Sequence, residues 1–288
     1  MKEITILSGK GGTGKTSITA AIASLASDAV FCDNDVDAAD LHLIFDPDIR
    51  EEHRFLGAWV ATIDESKCIG CNVCQDQCRF DAIHTNENGF PEVNPNQCEG
   101  CRLCERLCPA NAISSERSDR NFWYVSDTRF GTLVHAKMGP GEENSGKLVS
   151  EVRKKAKELA TENNAKYVIN DGPPGIGCAA ISSLTGTNQV LMIIEPTVSG
   201  LHDADRLVDL IATFSIPVFA VINKYDLNLS MTARVENYLK EKNIPLLGRI
   251  PFDRHMVEAM LEGKTIVEYN KGLETSKIIG QIWQSLAG

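Results

Sequence analysis

Residues 8–17 read SGKGGTGKTS and set Gly9, Gly14, Lys15 and Thr16 in the spacing G-x-x-x-x-G-K-T. No other stretch limits the fold so tightly. The apolar run EITILS (3–8) precedes it, and Ile18, Ala21, Ile22, Leu25 and Ala26 follow at helical spacing. A second short run, AVFCD (29–33), ends in a carboxylate. Strand, glycine loop, helix and strand in that order open a parallel α/β sheet. Glycines let the loop turn so that the N–H groups of Gly9, Gly11, Gly12, Thr13, Gly14, Lys15, Thr16 and Ser17 face phosphate oxygens. The helix dipole adds to them, Lys15 reaches the β- and γ-phosphates, and the Thr16 hydroxyl is placed for Mg²⁺.

KYVIND (166–171), QVLMIIE (189–195) and PVFAVIN (217–223) are nearly continuous in apolar residues, as strands buried on both faces are. Between about 60 and 116 that pattern gives way to short cysteine-rich turns. The chain of 288 residues carries a net charge of −10 and no basic stripe, which argues against a nucleic-acid partner. No apolar run nears the ~20 residues of a membrane span, and the N-terminus runs straight into a strand pattern without a leader. A cytoplasmic protein is expected.

Eight of the ten cysteines fall between 68 and 108, a density that in a reducing compartment argues for metal ligation. CIGCNVCQDQCRFDAI (68–83) realigns with CEGCRLCERLCPANAI (98–113) at an offset of 30, matching all four cysteines, Gly70 with Gly100, and Ala82-Ile83 with Ala112-Ile113. Each copy has the Cys-x₂-Cys-x₂-Cys-x₃-Cys run of bacterial ferredoxins. The second also has the following Pro109, where the first has Arg79. Zinc also takes four thiolates, but two complete tandem runs favour iron–sulfur clusters. In two-cluster ferredoxins the fourth cysteine ligates the other cluster. The resemblance therefore implies one [4Fe–4S] cluster on Cys68, Cys71, Cys74 and Cys108, and a second on Cys78, Cys98, Cys101 and Cys104. Residues 60–116 hold nine acidic and four basic side chains, a balance suited to a basic partner patch.

The loop carries an extra lysine, Lys10, and so resembles the deviant Walker A motif of the MinD, Mrp and nitrogenase-iron-protein superfamily of P-loop ATPases. The resemblance implies that Lys10 reaches the partner subunit's phosphates across an ATP-sandwiched homodimer. DNDVDAADLHLIF (33–45) resembles the switch I segment, with Asp33 near Mg²⁺ and Asp35 at the water-activating position. Asp37 and Asp40 read as solvated or capping residues. VINDGPPGIGC (168–178) resembles Walker B with switch II, where Asp171 holds Mg²⁺ through water and Gly172 to Gly175 sense the γ-phosphate. NKYD (223–226) also fits a guanine-reading motif. ATP is favoured, with Asn223 rather than Asp226 on the base, and IPFD (250–253) resembles a second base-side loop with Pro251 and Asp253.

Cys32 reads as a small buried hydrophobe. Cys178 lies where the nitrogenase iron protein has a ligand of its bridging cluster, but HAKMGPGEENSG (135–146) lacks the second cysteine, so a structural thiol is preferred. That loop, with Met138, Glu142, Glu143 and Asn144, faces either a dimer seam or solvent, and Ser145 is placed to cap the next helix. The tail SKIIGQIWQSLA (276–287) has one basic residue, so packing on the core is preferred to membrane contact. The expected architecture is α/β: a mostly parallel, MinD-like P-loop sheet from 1–59 and 117–288, with a small ferredoxin-like insertion at 60–116. The expected function is ATP binding and hydrolysis by a homodimer, coupled to electron transfer through two [4Fe–4S] clusters to a protein redox partner or metallocofactor acceptor. Two alternatives are an Mrp-like iron–sulfur carrier and a MinD-like positioning ATPase with a redox-sensing insertion.

Overall fold

The computed structural model describes residues 1–139, 142 and 145–288, with Ser145 described for its backbone alone. Glu143, Asn144 and the Ser145 side chain lie outside the described residues. The strands are β1 (Lys2–Ser8), β2 (Ala29–Asp33), β3 (Asp48–Phe55), β4 (Trp59–Ile63), β5 (Ile83–Thr85), β6 (Pro91–Val93) and β7 (Ile113–Arg117). They continue with β8 (Asn121–Thr128), β9 (Gly131–Lys137), β10 (Tyr167–Pro174), β11 (Gln189–Ile194), β12 (Val218–Asn223) and β13 (Leu246–Ile250). Among the described residues, nine of them form one sheet in the order β13-β12-β11-β1-β10-β2-β9-β8-β3.

From β13 to β9 every pairing is parallel. Alternation along the buried strands feeds two cores. Ile4, Ile6, Leu191 and Ile193 pack with Ile18 and Ile22 of the helix Lys15–Ala23 and with Ile279, Ile282 and Leu286 of the C-terminal helix Glu274–Ala287. Leu7, Val190, Met192 and Ile194 pack on the other face with Leu207 and Ile211 of the helix Val198–Ala212, and with Val235 and Leu239. The apolar face of the tail is thus spent inside the first core. No helix among the described residues is long and apolar enough to cross a membrane.

Register decides where polar residues meet. Ile6 of β1 lies opposite Asp171 of β10, and Asp171 opposite Asp33 of β2, so the glycine loop and both carboxylates leave the sheet side by side at strand C-termini. Ligands of open α/β sheets collect at that edge.

The chain divides into two compact units: Met1–Glu52 with Tyr124–Ala136 and Ser145–Gly288, and His53–Trp123 with Lys137–Asn144. Within the second, β4 pairs antiparallel with β7, from Trp59 opposite Arg117 to Ile63 opposite Ile113, and β5 pairs antiparallel with β6. Two short helices, Val73–Asp76 and Leu103–Leu107, stand at repeat-equivalent places. The internal repeat extends to the backbone: φ is +66° and +65° at Gly70 and Gly100, +56° and +59° at Asn72 and Arg102, and +50° and +47° at Asp81 and Asn111. A small core of Ala61, Cys74, Ile83 and Ile113 holds the unit together.

Candidate functional site

The glycine loop opens into a hollow lined by Ser8, Gly11 to Ser17, Asp35, Ala38, Asp40, Leu43, Ile44, Pro174 and Met260. Gly14, at φ +87°, turns the loop into the helix, and the Asn223 amide sits where a side chain at Gly14 would. Only glycine holds that position without strain. Lys15 is buried at the helix start, its Nζ 2.9 Å from Asp171 Oδ2 and 3.9 Å from Asp35 Oδ2. Thr16 Oγ1 donates to Asp171 Oδ2 at 2.6 Å, and Thr19 Oγ1 donates to Asp171 Oδ1 at 2.7 Å. The Asp171 carboxylate is therefore held by both hydroxyls and the loop lysine at once.

Burial works against charge on this cluster. It opposes the Lys15 ammonium, yet Asp171, Asp33 and Asp35 outweigh it and hold the lysine pKa above its ordinary value. Burial pushes the Asp33 carboxyl well up, and the charge of Asp171 adds to the push. Asp33 is fully buried and organises the turn: its Oδ1 accepts from Asp35 N and its Oδ2 from Leu41 N, both at 3.1 Å. Asp35 lines the hollow, and burial raises its pKa to about 6 against the pull of Lys15. Thr16 and Asp171 offer hard oxygen donors of the kind Mg²⁺ prefers, and the Lys15 ammonium stands against that same carboxylate.

Lys10 lies outside the hollow lining. Its Nζ is 2.8 Å from Glu195 Oε2 and donates to Thr197 Oγ1 at 3.2 Å. Lys224 shares Glu195 at 3.2 Å and donates to the Gly12 carbonyl at 3.1 Å. Burial tends to raise the Glu195 pKa, but hydrogen bonds from the two lysines carry it below the ordinary value. The sequence reading assigns neither Glu195 nor Lys224 a role, and nothing local marks a partner 185 residues away. Gly9 is fixed by space, since a methyl there would stand 2.5 Å from the Asp203 backbone.

The expected base contacts are placed differently from the phosphate contacts. Asn223 is buried and its Nδ2 donates to the Thr13 carbonyl at 2.7 Å, so the amide props the loop. Asp226 Oδ1 accepts from Phe252 N at 2.6 Å. Asp253 accepts from His255 N at 3.0 Å and from Thr275 Oγ1 at 2.7 Å. Asn223, Pro251 and Asp253 do not line the hollow, whereas Met260 does, and its sulfur accepts from Ser17 Oγ at 3.4 Å.

In the second unit the eight clustered thiols sort into two hollows. Cys68, Cys71, Cys74 and Cys108 line one, with Ile63, Ile69, Asn72, Val73, Pro91, Pro109 and Ile113. Cys78, Cys98, Cys101 and Cys104 line the other, with Gln77, Phe80, Val93, Glu99, Arg102, Leu103 and Ser115. All ten cysteines are free thiols. Among the described residues no three His, Cys, Asp or Glu converge as they would around one ion. Two sets of four thiols match in number and residue type the donors that two [4Fe–4S] groups take. In the first hollow Asn72 Oδ1 is buried without a hydrogen-bond partner. Cys178 is exposed at the start of the helix Cys178–Leu184.

Residues 4–266 match the family model described as the CobQ/CobB/MinD/ParA nucleotide binding domain. The chain belongs to that family. A relative within reach is an uncharacterized protein of Methanocaldococcus jannaschii, 37% identical over 229 residues, covering 78% of this chain and 79% of the relative. Two solved structures share the fold of this CobQ/CobB/MinD/ParA member. The septum site-determining protein MinD complexed with Mg-ADP from Pyrococcus horikoshii covers 99% of this chain and 95% of its own, with a TM-score of 0.60 at 18% identity. The MinC:MinD cell division protein complex of Aquifex aeolicus gives a TM-score of 0.59 at 19% identity, covering 99% of this chain and 96% of its own.

Proposed function

We propose that the chain is an ATP-hydrolysing switch protein that closes as a homodimer around the nucleotide and passes single electrons through two [4Fe–4S] clusters to a protein partner. One observation carries the reading: a single chain joins the Lys15–Thr16–Asp171 phosphate site to eight thiols gathered as two sets of four. The Mg-ADP named for the Pyrococcus horikoshii MinD supports the nucleotide half.

Loop amides from Gly11 to Ser17 receive the phosphates, and Lys15 trades its carboxylate partner for phosphate oxygens. Asp171 and Thr16 would then hold Mg²⁺, which would supply charge neutralisation at the phosphates. Asp35, ionised above pH 6, orients the attacking water and accepts its proton. Lys10 leaves Glu195 to reach the partner's phosphates. Cys68, Cys71, Cys74 and Cys108 would hold one cluster and Cys78, Cys98, Cys101 and Cys104 the other, and each would supply a one-electron store. The fold shared with MinD favours a second reading, a positioning ATPase whose thiol unit senses redox state.

The test compares anaerobic protein, reduced by dithionite, with MgATP and with MgADP. Oxidation by a one-electron acceptor protein should be several-fold faster in one nucleotide state than in the other. Lys10→Ala should abolish that difference together with ATP-dependent dimerisation and hydrolysis. Transfer of intact clusters to an apo-protein with no redox response to nucleotide would sink the electron-transfer reading.

A further inference from the structure

The two thiol sites are built by one repeat yet are lined differently, and two of the differences change charge. In the first hollow Asn72 follows the second cysteine of the run and shares the lining with Ile63, Ile69, Val73 and Ile113. At the equivalent place in the second hollow stands Arg102, and Glu99 replaces Ile69. Both Asn72 and Arg102 hold the same left-handed backbone, so the repeat presents their side chains from matching positions. The Arg102 guanidinium is fixed: it lies 4.5 Å above the Trp59 ring and donates to Glu105 through Nε at 2.8 Å and Nη2 at 3.1 Å. Arg102 borders the hollow and Glu105 does not. Glu99 is exposed and the Arg102 side chain is 37% exposed, so water screens both, but only Arg102 is held in place by a ring and a carboxylate.

Resting on the iron–sulfur reading above, we infer that the two clusters are unequal in potential, that the site of Cys78, Cys98, Cys101 and Cys104 is the higher, and that Arg102 sets the difference. Reduction adds one negative charge to a site already ringed by thiolates. A fixed cation at its border stabilises the reduced form, while an apolar lining penalises the added charge. Cluster potentials follow net charge, hydrogen bonding and exposure. Cysteines of both sets pack against the same core of Ala61, Ile83 and Ile113, so the sites are neighbours and can share an electron. A low-potential one-electron donor protein reduces the first site. The first is then reoxidised as the second is reduced, with no bond broken and no proton moved. The equilibrium between the two sites then favours the electron on the second.

The full chain, loaded anaerobically with iron and sulfide, is assayed for both elements and then titrated under EPR. The expected result is about eight irons per chain and two one-electron steps. The second site should be favoured at least tenfold in occupancy, a separation of 59 mV for a one-electron couple. Arg102→Asn, which copies the residue of the first site, should lower the upper step and leave the lower one in place. The reciprocal Asn72→Arg, at a φ that Arg102 already adopts, should raise the lower step. A full complement of iron with one unsplit step, or an Arg102→Asn variant that moves the lower step, overturns this inference while leaving the iron–sulfur reading standing. A chain that takes up no iron overturns the reading itself.

Discussion

Asp35 is the residue whose chemistry is most exposed to measurement. It lines the nucleotide hollow, and burial raises its pKa to about 6 from the ordinary 3.8. Between those values the folded chain holds a proton that the unfolded chain has released. Its contribution to stability is therefore present at low pH and lost as pH rises through 6. In the proposed mechanism activity runs the other way, since there the ionised form orients water. The ATPase kcat/KM, which reports the free enzyme, should fall about tenfold per pH unit below the pKa. Asp35→Asn should be slow and flat over the same range; an unchanged acid limb in that variant would remove Asp35 from the chemistry. Asp33 is a contrasting case. The sequence groups it with Asp35, but only the fold shows that its two oxygens are spent on the backbone of Asp35 and Leu41.

At the scale of elements, the phosphate loop depends on a strand far away in sequence. Asn223, at the end of β12, props Thr13 and fills the space beside Gly14. Asn223→Ala leaves the Thr13 carbonyl without its buried donor, at a cost of about 1–3 kcal/mol. Nucleotide affinity measured by calorimetry should weaken by about tenfold or more. Gly14→Ala should do at least as much harm, because it adds left-handed strain to a contact of 2.5 Å with Asn223 Nδ2. Wild-type affinity in Asn223→Ala would show that the amide is only a filler. The loop, its helix and the buried parallel strands were legible because glycine spacing and apolar periodicity are local signals. The edge strand β3, DIREEHRF, was not, since its exposed charged alternation carries no core face. Nor were the ties of Lys10 to Glu195 and of Ser17 to Met260, which arise only when β11 and the helix His255–Leu261 are brought beside the loop.

At the scale of the whole molecule the two units differ in what holds them together. The first has two extended cores on either face of the sheet, whereas the buried cluster of the second holds Ala61, Cys74, Ile83 and Ile113 among the described residues. So small a core rarely sustains a fold unaided, and ligation by eight thiols would supply the missing free energy. The repeat was visible in the sequence as matching cysteines, but its matching left-handed turns at Asn72 and Arg102 required the fold. Hydrogen exchange on iron-loaded and iron-free protein separates the contributions. Removing iron should speed exchange at Ile63, Ile83 and Ile113 by on the order of a hundredfold or more. Amides of Ile4, Ile169 and Leu191 should stay within about threefold of their loaded values, because local opening of one unit need not unfold the other. Equal protection of Ile83 and Ile113 in both preparations would mean that the thiol unit folds on its apolar contacts alone, and that its cysteines do not carry its stability.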